Sequence, residues 1–361
     1  MKIALYHNLP PGGAKRVLYE EIKFLSQKHQ IYLYELSSTD EKFLSLKPFC
    51  QKRSVYKFKI AKHQSRFIKD WKNFIDLPRL HRQIAHDIDQ KKYDVVLVHP
   101  DHLTQAPFLL RYLKTPSVYF CEELLRLAYE KELAFNEKVN QLNYYYEIMT
   151  RSLRRVIDRS NVQAAGKIVV ASKYIQKKVK QAYNRRAVVC GLGGDSKIFS
   201  SASKKKPQIL FIGDENEVSG YYFAKKVMEL VTQKSQVSFC PISFQKGRPK
   251  LIDKQLAKKY AESLLTLCTS YQEPYGLVVT ESMMSGTPVL AVAEGGYRET
   301  VLDGKTGYLL KRDVQDFAAK INYLLTHPQK LTTMSIMAAR YAKEKFNWQE
   351  HVKKLEVLLE S

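Results

Sequence analysis

The stretch SLLTLCTSYQEPYGLVVTESMMSGTPVLAV, residues 263–292, carries the pattern that decides the fold. It predicts a buried strand over 263–268, a loop, a helix that opens near Gly276, and a second buried strand over 288–292. Strands and helices in alternation are typical of a parallel sheet built from βαβ units. This stretch therefore predicts an α/β protein whose sheet presents the carboxyl ends of its strands to a ligand.

The predicted helix start is the first candidate site in the sequence. Four backbone amides are expected to lack helical partners there, those of Tyr275, Gly276, Leu277 and Val278. Such a cluster of amides suits a phosphate group, and glycine lets that group approach the backbone closely. Glu273 precedes the helix and Glu281 lies in its second turn, where a carboxylate could accept hydrogen bonds from a ribose diol. Taken alone, two acids at this spacing also suit solvated surface charges.

The same alternation continues over the rest of the chain. Strands are predicted at 2–6, 31–36, 94–99, 117–120, 167–170, 187–189, 208–213 and 237–240. Helices are predicted at 14–28, 63–90, 137–164, 172–182, 219–232 and 252–260, and over most of the last ~45 residues. The glycine-, serine- and lysine-rich stretch 190–207 interrupts the pattern and is predicted to be a linker whose lysines, 204–206, are solvated. Two doubly wound domains, with a ligand cleft between them, are the expected assembly.

Composition excludes several classes of protein. The 361 residues carry 59 Lys and Arg against 36 Asp and Glu, a formal net charge of +23, and 45% of them are hydrophobic. That hydrophobic content argues against a disordered chain, and no apolar run approaches the ~18 residues of a membrane span. Five scattered cysteines without a CxxC pair argue against a disulfide framework or zinc ribbon and favour a reducing, cytoplasmic location.

The positive charge is densest in residues 51–92, where Phe67, Trp71 and Phe74 recur at helical spacing. The basic residues around this stripe are Lys62, Arg66, Lys69 and Lys72. A basic helix over 62–74 with an aromatic stripe makes an anionic membrane surface a candidate partner. The alternative is a surface helix whose aromatic side chains face the core. Nucleic acid is not an expected partner, because no zinc-finger spacing, RNP-like motif or GxxG clamp accompanies the charge.

The sequence resembles the retaining, metal-independent GT-B glycosyltransferases of glycosyltransferase family 4. Their E-x7-E signature is present as Glu273 and Glu281. The segment AEGGYRETVLDGKTGYLL at 293–310 and the closing FNWQEHVKKLEVLL at 346–359 resemble the family as well. The implied fold is GT-B, with two Rossmann-like domains that face a central cleft. The implied bounds are 1–190 for the acceptor-side domain, 191–345 for the donor-binding domain, and 346–361 for a helix that packs back on the first domain.

The resemblance also implies roles for individual residues. Glu273 and His99 would be the catalytic residues, and Glu281 would bind the ribose of a nucleotide sugar. The remaining donor-binding residues would be Tyr275, Gly276, Leu277, Val278, Gly12 and Gly13. The implied donor is a UDP- or GDP-linked sugar, without a cofactor or a metal.

The sequence departs from the family where two cations usually hold the diphosphate. Gly213 is followed by Asp214 and Glu215 instead of by a basic residue. Candidate substitutes are Lys15, Arg16, Lys225, Lys246, Arg248 and Lys250. Three explanations stay open: cations from elsewhere in the chain, a different donor, or impaired catalysis.

The function that this sequence predicts is sugar transfer from a nucleotide sugar to a glycan, a lipid-linked acceptor or a glycolipid. The protein would be cytoplasmic, with peripheral attachment to the inner face of the membrane as an option. The main alternative is a GT-B protein that binds a nucleotide, a glycan or a partner without turnover. A basic nucleic-acid or membrane binder, a GT-B epimerase and a phosphorylase are weaker alternatives.

Overall fold

The computed structural model describes residues 1–58, 65–130, 141–200, 203–232, 237–243, 251 and 253–361. Its described residues form two compact units. The first unit comprises residues 1–190 and 352–361, and the second comprises residues 191–351. Each unit is built on one parallel sheet, so the predicted α/β class is confirmed.

The first unit contains a seven-stranded sheet in the order β3-β2-β1-β4-β5-β6-β7. Its strands are β1 (Lys2–Asn8), β2 (Gln30–Leu36), β3 (Lys52–Tyr56), β4 (Val95–Asp101), β5 (Ser117–Phe120), β6 (Lys167–Val170) and β7 (Val188–Val189). All neighbouring strands pair in parallel. The central strands β1 and β4 are buried along nearly their whole length, which is why they appear in the sequence as continuous apolar runs.

Helices connect these strands and cover the sheet. The α-helices that begin within the first unit are α1 (Gly13–Leu25), α2 (Arg66–Trp71), α3 (Leu77–Asp89), α4 (Arg126–Tyr129), α5 (Gln141–Gln163) and α6 (Lys173–Tyr183). Short 3-10 turns lie at Lys47–Phe49 and Phe108–Arg111. Ser172 caps the start of α6 by accepting a hydrogen bond from the Ile175 amide at 3.1 Å, as serine does at many helix starts.

The second unit contains a five-stranded sheet in the order β12-β11-β10-β8-β9. Its strands are β8 (Gln208–Ile212), β9 (Ser238–Ile242), β10 (Leu265–Cys268), β11 (Val289–Val292) and β12 (Gly307–Leu310). Its helices are α7 (Tyr221–Leu230), α8 (Asp253–Glu262), α9 (Leu277–Met284), α10 (Tyr297–Thr300), α11 (Val314–Thr326), α12 (Pro328–Lys345) and the beginning of α13 (Trp348–Glu360). The boundary between the two units falls inside α13.

The helix predicted over 63–90 is not continuous. A π-helical segment, Lys72–Asp76, separates α2 from α3, and Pro78 stands in the first turn of α3. Proline has no N–H to donate to the carbonyl four residues earlier, and its ring crowds that carbonyl. The hydrogen-bond ladder therefore shifts to π-helical spacing just before it.

Two strands were not predicted from the sequence, β3 and β12. Both lie at the edge of their sheet, and neither has a fully buried strand's pattern of exposure. The prediction of a solvated lysine run at 204–206 is wrong for Lys205. Its Nζ donates to the carbonyls of Ser263 and Gly286 and to the Thr287 hydroxyl, at 2.6–2.9 Å.

No helix among the described residues combines the length and the apolar character needed to cross a lipid bilayer.

Candidate functional site

A pocket opens in the second unit where β8 and β10 end. Its wall includes Ile212 from β8, Cys268 from β10, the loop residue Glu273 and the ring of Tyr297. In this sheet the chain leaves β8 toward β9 on one side and returns as β10 on the other, so the strand order reverses between β8 and β10. Ligands of open parallel sheets bind at such a point, outside the carboxyl ends of the strands.

The first turn of α9 forms another part of this wall, through Gly276 and Val278. Gly276 caps the helix with φ 97°, a conformation that favours glycine, and a Cβ there would press into the ring of Tyr297. The backbone of this helix start therefore borders the pocket, and a side chain at 276 would displace the Tyr297 ring that forms another part of its wall. The structure thus brings together three of the residues predicted for the site, Glu273, Gly276 and Val278.

The loop at 293–296 fixes the shape of the loop that carries Glu273. The Gly296 amide donates to the Glu273 carbonyl at 2.7 Å. Gly295 has φ 55°, and a Cβ on it would overlap the Glu273 backbone. Because both glycines are required for this close approach, the motif at 293–296 acts as a support for the loop that carries Glu273.

Glu281 lies behind the pocket wall, in the second turn of α9. Its side chain is only 6% exposed, and its Oε2 accepts a hydrogen bond from the Tyr260 hydroxyl at 3.0 Å. The Tyr275 side chain also points elsewhere, since its hydroxyl donates to the Leu192 carbonyl at 2.7 Å. A ligand role for Tyr275 is therefore confined to its backbone amide. Leu277, like Tyr275 and Glu281, is not part of the pocket wall.

Arg312, a cation that we did not predict, lies against this wall. Its guanidinium donates to both carboxylate oxygens of Glu294, at 2.8 and 2.7 Å, and to the carbonyls of Thr269 and Ser270 at 2.9 and 3.2 Å. It holds the loop after β10 in place. Arg312 follows β12, and because that strand was missed, no strand-end argument pointed to it.

The positions after Gly213, where diphosphate-binding cations were expected, hold the acidic residues Asp214 and Glu215. Asp214 accepts a hydrogen bond from the Ser243 hydroxyl at 3.3 Å. Among the candidate substitutes, Lys225 is exposed on α7. Lys246, Arg248 and Lys250 lie outside the described residues, as does Lys62 of the predicted basic helix.

The carboxyl edge of the first sheet has a different character, because it buries charged side chains. His7 ends β1 and Glu35 ends β2, and both are fully buried. Lys15 is buried between them, with its Nζ 3.0 Å from Glu41 and 3.3 Å from the His7 ring. Arg53 pairs with Glu35. Burial still raises the pKa of Glu35 to about 7, while burial and the nearby cations hold the pKa of His7 well below its usual value.

His99, at the end of β4, is enclosed between two carboxylates. Its Nε2 lies 2.7 Å from Glu21, its Nδ1 lies 3.6 Å from Glu122, and its ring stacks on Phe120. Burial opposes the charged ring, but the two carboxylates outweigh it and raise the pKa of His99 to about 9. Burial raises the pKa of Glu122, and Glu21 makes the shorter contact with the ring. His99 is fully buried, and its catalytic role stays a prediction.

Asp101 organises a hydrogen-bonded network beside this pair. The Tyr6 hydroxyl donates to Asp101 at 2.8 Å and Asn8 donates to it at 2.9 Å. Burial lowers the pKa of His81 to about 4, so this ring is neutral at pH 7. Its Nδ1 accepts from the Leu109 amide, which leaves Nε2 to donate to the Tyr6 oxygen at 2.6 Å.

Gly12 and Gly13 open α1 in the first unit. Gly12 is the helix N-cap, with extended backbone, and a Cβ added to it would meet nothing within 4 Å. Packing therefore gives no reason for glycine at position 12. The donor-facing role predicted for this loop is untested and stays a prediction.

Comparisons with known proteins agree with this architecture. Residues 249–345 match the family described as "Glycosyl transferases group 1". A D-inositol 3-phosphate glycosyltransferase from Rhodococcus erythropolis is 38% identical over 102 residues, which are 28% of this chain and 23% of that relative. The chain thus covers less than a quarter of the length of this curated relative.

Solved structures resemble the chain over nearly its whole length. The structure of Anabaena HepE in complex with UDP and glucose has a TM-score of 0.74 at 17% identity and covers 100% of both chains. Sucrose-phosphate synthase from Thermosynechococcus elongatus has a TM-score of 0.77 at 16% identity and covers 99% of this chain and 98% of its own. The predicted GT-B fold is therefore confirmed.

Proposed function

We propose that this protein is a glycosyltransferase that moves a sugar from a nucleotide sugar to a glycan, a lipid-linked acceptor or a glycolipid. The observation that supports this most strongly is the pocket at the strand-order reversal, which borders both the first turn of α9 and Glu273. It supplies backbone donors for a phosphate and a carboxylate for sugar hydroxyls in one place. The match of residues 249–345 to glycosyl transferases group 1 gives independent support.

Different residues of this site bind the different parts of the nucleotide-sugar donor. In the proposal, the amides at 276–278 bind the diphosphate and the sugar, and Glu273 accepts hydrogen bonds from sugar hydroxyls beside the reacting carbon. Glu281, oriented by Tyr260, accepts from the ribose diol. We propose a UDP-sugar as the first donor to test, because a structure of the same fold holds UDP and glucose.

We further propose that transfer retains the anomeric configuration and needs no metal. The bond between the anomeric carbon and the diphosphate oxygen breaks, and the acceptor oxygen bonds to the same face of that carbon. The acceptor proton passes to the departing diphosphate, which the helix-start amides stabilise as its charge develops. The five free cysteines are consistent with the cytoplasm as the place of this reaction.

A second candidate function is binding of a nucleotide sugar without turnover. Asp214 and Glu215 occupy the positions where a diphosphate cation was expected, and Arg312 is engaged by Glu294. If the charge of the leaving group were stabilised less, the same pocket would still bind the donor, but sugar transfer would be slow.

Isothermal titration with UDP-, GDP- and ADP-sugars tests the binding step. Glu281→Gln keeps the shape of the side chain but removes its charge, and we expect it to weaken donor binding by about tenfold or more, since hydrogen bonds to charged groups contribute about 1.5–3 kcal/mol. Glu344→Gln, on the exposed surface of α12, is the matched control and should bind as the wild type does. A folded protein that binds none of these donors would refute the proposal.

A product assay then separates the two candidate functions. Transfer or donor hydrolysis that persists in a chelator, with the product's anomeric configuration read by NMR, would support a retaining, metal-independent enzyme. Donor binding without any product would instead favour the binding protein.

A further inference from the structure

Helix α5 exposes a stripe of apolar side chains on its outer face. Four of its apolar side chains, Tyr145, Met149, Leu153 and Val156, are 68, 64, 45 and 66% exposed. Their spacings of four, four and three residues place them on one face of the helix. A surface helix normally turns such a stripe toward the core.

The inward face of α5 combines apolar core side chains, Val162 and Ile157, with polar ones. Asp158 and Asn161 are fully buried there. Asp158 accepts a hydrogen bond from the Tyr183 hydroxyl at 2.6 Å, and the Asn161 amide donates to the Ala106 carbonyl at 2.7 Å. Because these bonds fix the rotation of the helix, α5 cannot turn its apolar stripe inward without leaving buried polar groups unpaired.

Helix α2 extends the exposed surface. Its side chains Phe67, Ile68 and Trp71 are 64, 43 and 55% exposed, so these two aromatic residues of the predicted stripe do not face the core, whereas the third, Phe74, is half-buried. Asp70 joins the two helices, since it accepts from the Tyr146 hydroxyl at 2.8 Å and from Arg154 at 2.7 Å.

We call the resulting surface the α2–α5 face. It is formed by Phe67, Ile68, Trp71, Tyr145, Met149, Leu153 and Val156. Nine of the nineteen large apolar side chains that are exposed among the described residues lie on these two helices. Such a concentration marks an interaction site, because scattered single side chains are the norm on a protein surface.

The charge around this face identifies its partner. The basic side chains on or beside the two helices are Lys69, Lys72, Arg151, Arg155 and Arg159. Burial is the main cause that lowers the pKa of Arg151, and the positive charges of Arg155 and Arg154 add to it. A second copy of this chain would bring another +23 to the contact, whereas an anionic lipid surface would complement it.

We propose that the α2–α5 face docks the protein on an anionic membrane surface. Trp71 and Tyr145 lie at the level of the headgroups, where aromatic side chains with a polar end are favoured, the apolar ring of Phe67 inserts beside them, and the basic side chains contact lipid phosphates. The helices lie in the plane of the interface and do not cross it. This inference does not depend on the donor chemistry of the second unit.

Vesicle co-sedimentation of the full chain tests this docking. We expect binding to phosphatidylcholine vesicles that contain phosphatidylglycerol, at least tenfold weaker binding to phosphatidylcholine alone, and a decrease as salt rises from about 50 to about 500 mM, as screening requires. The triple variant Tyr145→Ser, Met149→Ser, Val156→Ser should lose at least tenfold in partitioning. Equal sedimentation of this variant and the wild type would overturn the proposal.

Matched controls test whether vesicle binding depends on the α2–α5 face or on exposed apolar and basic side chains anywhere on the protein. Leu230→Ser, Ile336→Ser and Val357→Ser remove three exposed apolar side chains from other helices and should leave vesicle binding unchanged. Lys69→Gln, Lys72→Gln and Arg159→Gln should weaken binding to the anionic vesicles, while Lys225→Gln, Lys226→Gln and Lys305→Gln should have a much smaller effect. Equal losses of vesicle binding in these two charge variants would show that the protein is attracted by its net charge and not through the α2–α5 face, and would overturn the proposal.

Tryptophan fluorescence supplies a local readout, because the chain has two tryptophans, Trp71 on the proposed face and the buried Trp348. In Trp348→Phe, emission from Trp71 should shift to the blue on vesicle binding and be quenched by brominated lipid. An unshifted Trp71, or a wild type that self-associates through the stripe and ignores vesicles, would overturn the inference. Donor titration without lipid tests the proposed function separately, so the failure of one proposal is distinguishable from that of the other.

Discussion

The carboxyl edges of the two sheets present polar groups of different kinds. In the second unit the edge is made of backbone, with glycines at 276, 295 and 296 that let two loops and a helix start come close together. In the first unit it is made of buried titratable side chains, among them His7, Glu35 and His99. The backbone edge comes from one contiguous stretch, whereas the charged edge collects residues from many segments.

This difference has an energetic consequence. A site made of backbone donors depends on steric fit, so it is sensitive to any added side-chain atom. A site made of buried ions depends on charge balance, so it is sensitive to the loss of any partner. Each of the following predictions tests one side of this comparison.

The largest effect is expected where a buried cation is removed from the charged edge. His99→Asn leaves Glu21 and Glu122 without their imidazolium and should lower the free energy of unfolding by about 3–5 kcal/mol at pH 7, the usual effect of breaking a buried pair. Denaturant titration measures it. Adding Glu21→Gln to this variant should regain much of the loss, because it removes the orphaned charge. A single variant as stable as the wild type would mean that the pair is not ionised.

The pH dependence of stability sharpens the same point. The folded-state pKa of His99, about 9, exceeds its ordinary value of 6.5. Its contribution is therefore fully present below pH 6.5 and is lost as pH rises toward 9. Unfolding curves should show the wild type losing its advantage over His99→Asn across this interval. An advantage that stayed constant from pH 6.5 to 9 would contradict the assignment.

At the backbone edge, Gly295→Ala should be the most damaging small substitution. Its Cβ would overlap the Glu273 backbone at a positive φ, and strain plus overpacking should destabilise the protein by about 2–4 kcal/mol. Gly304→Ala is the matched control, since Gly304 also has a positive φ (72°) but open space around it. It should cost about 1 kcal/mol. Equal losses in the two variants would show that the close approach of the loops is unimportant.

A smaller effect is expected from Lys205, the half-buried lysine of the second unit. Lys205→Met removes three hydrogen bonds from a charged donor and should lower the free energy of unfolding by about 1.5–3 kcal/mol. Lys206→Met, which loses one ion pair of an exposed lysine with Glu262, should be indistinguishable from the wild type by thermal denaturation. The reverse order would imply that the Lys205 bonds are not formed.

The smallest effect on stability is predicted for Gly12→Ala. Its Cβ has open space, and the expected loss is the difference between glycine and the poorer N-cap alanine, so the free energy of unfolding should fall by about 1 kcal/mol. If the donor-facing role is correct, product formation should nevertheless fall at least about tenfold, because a misplaced reactant is costly. Full activity in a stable Gly12→Ala protein would remove this loop from the site.

Local sequence patterns were enough to predict most of the fold and the part of the pocket wall at 273–296. Buried parallel strands such as β4 are short apolar runs, and the stretch at 273–296 keeps its glycines close together along the chain, so local patterns were sufficient. Edge strand β3 was missed because its basic residues resemble a surface segment. Partners such as Tyr260 for Glu281, or Glu21 for His99, come from distant segments and carry no spacing signal. The stability of buried ion pairs depends on such tertiary proximity.

The division of α13 between the two units bears on how the protein is made. Residues 352–361 belong to the first unit, where Glu356 pairs with Lys28 and His29, and where Lys167 donates to the Leu358 carbonyl. During translation, the first 190 residues therefore leave the ribosome well before the segment that completes their unit. A recombinant fragment ending at residue 190 would lack these contacts, and its isolation would require the last ten residues to be supplied as a peptide or joined by circular permutation.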